Sequence, residues 1–132
     1  MFAAQTLKPP MRPEAQRAAA GEPAIDLVHL ARQTDGDTAL EAELLAMFDS
    51  QAAKLIARLR QIDGEPQVLA DIAHRLRGSA LAIGANRVAV AAEAVENHFE
   101  RVAAGGPACE APLGPLNRAV EDARAQIASL QP

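Results

Sequence analysis

Residues 63–86 read DGEPQVLADIAHRLRGSALAIGAN, and this stretch predicts one helix with both of its ends marked. Asp63-Gly64-Glu65 breaks whatever precedes it, and Pro66 suits a first helical turn, where its missing N–H costs nothing. Gly84 supplies the stop. On a wheel of about 100° per residue with Ile72 at the centre of one face, Val68, Leu69, Leu76, Ser79 and Ile83 fall within about 60° and form the predicted core side. His74 lies opposite, with Gln67, Ala70, Arg77, Gly78 and Leu81 around it. A glycine inside a helix costs roughly 0.5–1 kcal/mol relative to alanine, so Gly78 needs a reason. Side chains four apart stack on one face, and a Cβ at position 78 is expected to crowd the imidazole or a partner approaching it.

Upstream, Leu40, Leu44, Met47/Phe48, Ala52, Leu55, Leu59 and Ile62 recur every three or four residues and predict a helix over roughly 38–62. Thr38 and Glu41 make a capping-box pattern at its start. A short apolar segment, Ile25, Leu27, Val28 and Leu30, precedes it and closes at the turn-forming Asp35-Gly36-Asp37. Downstream, Val88, Ala91/Ala92, Val95, Phe99 and Val102 stripe a helix over about Asn86–Ala103, stopped by Gly105-Gly106-Pro107. A last helix starts near Pro115 and carries Leu116, Val120, Ala123, Ile127 and Leu130. Four amphipathic helices with short connections, plus a short leading one, read as an all-α fold: an antiparallel up-down four-helix bundle with a short extra N-terminal helix. Residues 1–23, with Pro9, Pro10, Pro13 and Pro23 and no sustained apolar period, read as a flexible leader to a domain spanning 24–131.

Composition narrows the chemistry. The 132 residues suffice for one core, and 49% hydrophobic with 2% aromatic content makes that core aliphatic and favours helix over sheet. A net charge of -4 and the lack of a basic stripe argue against nucleic-acid binding. No apolar run approaches a bilayer span of ~20 residues, no signal-peptide core stands at the N-terminus, and the single Cys109 fits a reducing compartment. The expectation is a cytoplasmic protein, monomeric, with no nucleic-acid or membrane partner. The three histidines show no i, i+4 ligand pair and no Cys partner pattern, so no metal site is expected. Neither a phosphate-cradling Gly-rich loop nor a Ser/His/Asp arrangement can be assembled, and no cofactor is expected.

What remains is His74, projected from mid-helix beside Arg77, whose guanidinium suits phosphate oxygens, and beside the space left by Gly78. The constellation fits an imidazole that accepts and donates an anionic group. A lone exposed histidine is more often a solvated surface residue, and the residues by themselves leave that choice open.

The stretch AHRLRGSALAIGA, residues 73–85, resembles the signature of histidine-containing phosphotransfer (HPt) domains: His74, then Leu76, Arg77, Gly78, Ser79 and the ending Ile83-Gly84-Ala85. The similarity extends over roughly 24–130, with AIDLVHLARQTDGDTALEAELLAMFDSQAAKLIARLRQ resembling the family's opening helices and VAVAAEAVE the helix after the signature. The resemblance implies a phosphocarrier in a multistep phosphorelay rather than an enzyme. His74 would accept a phosphoryl group from a receiver aspartate or a kinase and pass it to another receiver aspartate. Arg77 would stabilise phosphoryl charge and Gly78 give steric clearance, while Gln67, Ala70 and Leu81 would contact the partner, a response-regulator receiver domain or hybrid histidine kinase. The Mg²⁺ would sit on the receiver. Arg77 stands where the family more often has Lys, and Ala80 where Ser is also common. Two other readings are a helical adaptor that docks without being phosphorylated, and the helical part of a dimeric histidine kinase. The first would replace the histidine; the second needs a nucleotide-binding domain beyond Pro132 and an exposed apolar seam.

Overall fold

The structure, a computed structural model, describes residues 23–61 and 64–130. Of the predicted features, the leader up to residue 22, Ile62, Asp63 of the Asp63-Gly64-Glu65 break and the two C-terminal residues lie outside that range. The described residues form five α-helices and no strand: α1 (Leu27–Gln33), α2 (Thr38–Leu59), α3 (Pro66–Ile83), α4 (Asn86–Ala103) and α5 (Leu113–Leu130). Helix α2 packs on α3, α3 on α4, α4 on α5, and α5 returns to α2, so four helices close a ring. Helix α1 lies across one end, against α2 and α3. The core inside is aliphatic, built on Leu76, Val88, Val95 and Leu116 with Ile25 and Leu30 beneath α1.

Local chemistry sets the helix ends. Asp26 caps α1 by accepting from the N–H groups of Val28 and His29, both at 3.1 Å. The predicted capping box at Thr38 and Glu41 is not what starts α2. Asp37 caps it, accepting from the Leu40 N–H at 3.0 Å. Glu41 instead accepts from the buried Thr34 hydroxyl at 3.0 Å, and so ties α1's end to α2. Helix α5 begins at Leu113 rather than near Pro115; a proline in a first turn removes an N–H that has no partner within the helix.

The join between α3 and α4 is the tightest. Gly84 adopts φ 81°, left-handed, while Ala85 N–H donates to Ala80 O at 2.8 Å and Gly84 N–H to Leu81 O at 3.3 Å, a Schellman-type stop. Gly84 is also the seat of α1: its carbonyl accepts from Asp26 N–H at 2.9 Å, and a Cβ on it would stand 2.8 Å from Asp26 O.

This hairpin rotates α3 away from the face its sequence predicts. The α3·α4 contact is the most extensive of the helix pairs, and the buried set on α3 is Leu69, Ala70, Ile72, Ala73, Leu76, Ala80 and Ile83. Its centre lies roughly 60° round the wheel from Ile72. Val68, expected in the core, is consequently exposed. Small alanines let the two backbones approach, and apolarity alone does not show which flank will be covered. On α2, Phe48 rather than Met47 enters the core and Leu40 is exposed; Leu27 and Val28 of α1 and Leu130 of α5 are likewise exposed. On α4, Ala92 and Val95 are buried as predicted, Phe99 and Val102 are half-buried, and Glu96 and His98 are buried.

Gly84→Ala is expected to destabilise the fold by more than the about 1–2 kcal/mol of a left-handed non-glycine residue, because the added Cβ also meets the Asp26 carbonyl. Urea unfolding followed by circular dichroism measures it.

Candidate functional site

Helix α3 carries His74 at its middle, with the side chain 62% exposed. Its Nδ1 lies 2.8 Å from Oε2 of Glu96 on α4. Arg77, one turn on, reaches the same helix: its Nη1 is 3.2 Å from Glu93 Oε2 and 3.5 Å from Glu96 Oε1, and its Nη2 is 3.3 Å from His74 Nδ1. Glu96 Oε1 is buried at an ion-pair distance from Arg77 without a hydrogen bond of good geometry.

The pairs obey a simple register. His74 and Glu96 are equidistant from Ala85, and so are Arg77 and Glu93, as two antiparallel helices hinged at that residue require. Glu93 and Glu96 were not singled out from sequence, although this arithmetic about Gly84-Ala85 points to them.

The geometry fixes the tautomer. A carboxylate can only accept and a guanidinium can only donate, so Nδ1 cannot serve both neighbours. The 2.8 Å contact to Glu96 is the shorter, and a lone pair on Nδ1 facing that carboxylate would be repelled. Nδ1 therefore carries the proton and donates to Glu96. In the neutral ring the lone pair is then on Nε2, which has no hydrogen-bond partner among the described residues. Arg77 is held by α4 beside the ring rather than extending freely into solvent.

The other predicted residues divide. Leu81 is 49% exposed, and Gln67 is exposed with its amide donating to Asp71 Oδ1 at 3.2 Å. Ala70 was expected on the docking face and is only 2% exposed. The rotation that pushes Val68 outward carries Ala70 into the core. A Cβ at Gly78 would meet nothing within 4 Å, the imidazole included. The expected crowding of the ring is absent, and what the missing side chain leaves is open surface one turn from His74.

Among the described residues no three His, Cys, Asp or Glu side chains gather to hold a metal, and no helix is long and apolar enough to cross a membrane. A ring of helices presenting one carboxylate-held histidine belongs to the class of histidine-bearing helical domains. The Hpt domain family model matches residues 43–129, and the chain belongs to that family, whose members work as histidine phosphocarriers in phosphorelays. No curated protein and no solved structure matches the chain.

Two measurements follow from this geometry. Long-range ¹⁵N–¹H spectra of the neutral His74 ring should show Nδ1 protonated in the wild type, and Glu96→Ala should shift the ring toward the Nε2-protonated form; identical spectra would remove Glu96 from the tautomer's control. Gly78→Ala should raise stability by roughly 0.5–1 kcal/mol in urea, because the helix gains propensity and the methyl meets no neighbour.

Proposed function

We propose that this chain is a histidine phosphocarrier in which His74 Nε2 accepts a phosphoryl group from a receiver aspartate, or from a kinase, and returns it to another receiver aspartate. The observation that carries the reading is the 2.8 Å contact between His74 Nδ1 and Glu96 Oε2: with a carboxylate as acceptor the proton sits on Nδ1, and the neutral ring offers its lone pair from Nε2, the nitrogen without a partner among the described residues. Attack by that lone pair on phosphorus forms the N–P bond as the bond to the donor carboxylate breaks, and the carboxylate leaves with the electron pair. The ring keeps its Nδ1 proton and gains positive charge, which the Glu96 carboxylate offsets at 2.8 Å. Transfer back reverses both bonds. Such a step needs mainly positioning and charge stabilisation, which suits a rigid helix carrying its nucleophile at mid-length.

Arg77 sits beside the ring and offers a guanidinium to the phosphoryl oxygens as they arrive. Gly78 clears the surface on which the receiver settles, and Gln67 and Leu81 border it. The Mg²⁺ and the remaining catalytic groups belong to the receiver. The working domain is the bundle of residues 24–131, an antiparallel ring of four helices acting as a cytoplasmic monomer.

Incubation with a phosphorylated receiver domain and Mg²⁺ should place acid-labile phosphate on the wild type and none on His74→Ala, whose fold should persist because the removed side chain is largely exposed and Arg77 remains within 3.5 Å of the Glu96 carboxylate. Label on neither protein, across the receivers of the source organism, would favour a docking adaptor instead. Arg77→Ala should slow transfer more than it weakens binding; an unchanged rate would remove Arg77 from the mechanism. Gly78→Leu should keep the helical circular dichroism signal and weaken receiver binding.

A further inference from the structure

The two flanks of His74 differ in charge. Toward α4, Arg77 is engaged by Glu93 and Glu96. Toward α2, a groove of about 270 Å³ is lined by Gln51, Lys54, Leu55, Arg58 and Arg75. Lys54, Arg58 and Arg75 are exposed and have no ion-pair partner among the described residues. By contrast Arg87 pairs with Asp122 and Arg124 with Asp49, each at 2.8 Å.

The groove borders the helix that carries the histidine. Arg75 follows His74 in the chain, projects about 100° from it round α3, and lines the groove together with residues of α2. On α2, Met47, Gln51, Lys54 and Arg58 are spaced four, three and four apart and form one exposed stripe; Met47, 56% exposed, supplies an adaptable apolar contact at its end.

This clustering is not what stability requires. Lys54 and Arg58 stand at the i, i+4 spacing at which like charges destabilise a helix. The helix dipole accounts for a cation at Arg58, in the last turn of α2, and Asp71, four residues before Arg75 on α3, stands at a spacing that favours a cation there; neither accounts for Lys54. In a chain of net charge -4, three cations without an ion-pair partner among the described residues share one groove at the helix that carries His74.

We propose that the α2–α3 groove of Lys54, Arg58 and Arg75 is the partner-selecting part of the docking surface and receives an acidic segment of the receiver domain that engages His74. The proposal rests on the phosphocarrier reading and names what that reading leaves open, the feature by which one receiver is preferred to another. Complementary charge of this kind acts chiefly on the rate of encounter and on rejection of wrong partners, and it is screened by salt.

The test measures second-order phosphotransfer from phosphorylated receiver domains of the source organism, with Mg²⁺, at increasing sodium chloride. Three proteins are compared: wild type, Lys54→Gln/Arg58→Gln/Arg75→Gln, and Lys54→Glu/Arg58→Glu/Arg75→Glu, each checked for helicity by circular dichroism. With the receiver the wild type uses fastest, the rate should fall in that order, by about tenfold or more for the charge reversal at low salt. The wild-type rate should fall with salt, and the neutral variant's should be nearly flat. Equal rates with equal salt dependence in all three proteins would overturn the groove's role while leaving the carrier in place. A drop in rate with the wild-type salt dependence retained would also overturn it. Absence of label on the wild type from every receiver would overturn the carrier reading and this proposal with it.

Discussion

The two-residue hinge at Gly84-Ala85 is the constraint on which the rest of the site depends. A left-handed glycine followed at once by a new helix leaves α4 one course open to it, back along α3 in contact. That close return aligns residues equidistant from the hinge, and so brings Glu96 to His74 and Glu93 to Arg77. The same glycine gives α1 its seat, since its carbonyl takes the Asp26 N–H and its missing Cβ lets the backbone of α1 come close. One position therefore ends a helix, sets an interhelical register and anchors the lid of the core.

The two glycines of the signature stretch act in opposite directions. Gly84 is enclosed, and a side chain there would strike backbone. Gly78 is open, and a Cβ placed on it would meet no neighbour within 4 Å among the described residues. Its cost in helix propensity falls on the exposed face, one turn from His74. The carboxylate of Glu96 has a comparable double character. It is nearly buried, which calls for compensation, and it finds compensation in the ring proton of His74 and the nearby Arg77. A polar group at the edge of the core thereby decides which ring nitrogen faces solvent.

Charge distributes unevenly round α3 for the same architectural reason. The α4 flank supplies carboxylates that occupy Arg77, whereas the facing stripe of α2 brings to the groove Lys54 and Arg58, which have no ion-pair partner among the described residues. The histidine stands at the boundary between a neutralised flank and a basic one. On the proposed reading, such a surface separates phosphoryl chemistry at Nε2 of His74, beside the Arg77 guanidinium, from recognition by long-range charge.

The helices themselves were largely legible in the sequence. The limits of α3, Pro66–Ile83, follow from a first-turn proline and a stop glycine, and those of α4 from its apolar period and the Gly105-Gly106-Pro107 stop. The exposure of His74 also follows, because it is a property of one helix and its 3.6-residue repeat; the crowding of the ring expected from a Cβ at Gly78 does not. The errors share a cause. Val68 was expected inside and Ala70 outside because a wheel weighs apolarity, whereas the packed helix turns its alanine flank toward α4 to bring the backbones close. Asp37 rather than Thr38 caps α2, since a side chain one residue earlier can reach the free N–H of Leu40 and Glu41 is drawn to Thr34. Glu93 and Glu96 read as ordinary charged residues of an amphipathic helix until the hinge sets their register. Local periodicity and end signals thus settled where each helix runs and that His74 faces outward. The tautomer of its ring, the confinement of Arg77 and the basic groove depend on side chains from different helices meeting, which is decided by packing across the hinge.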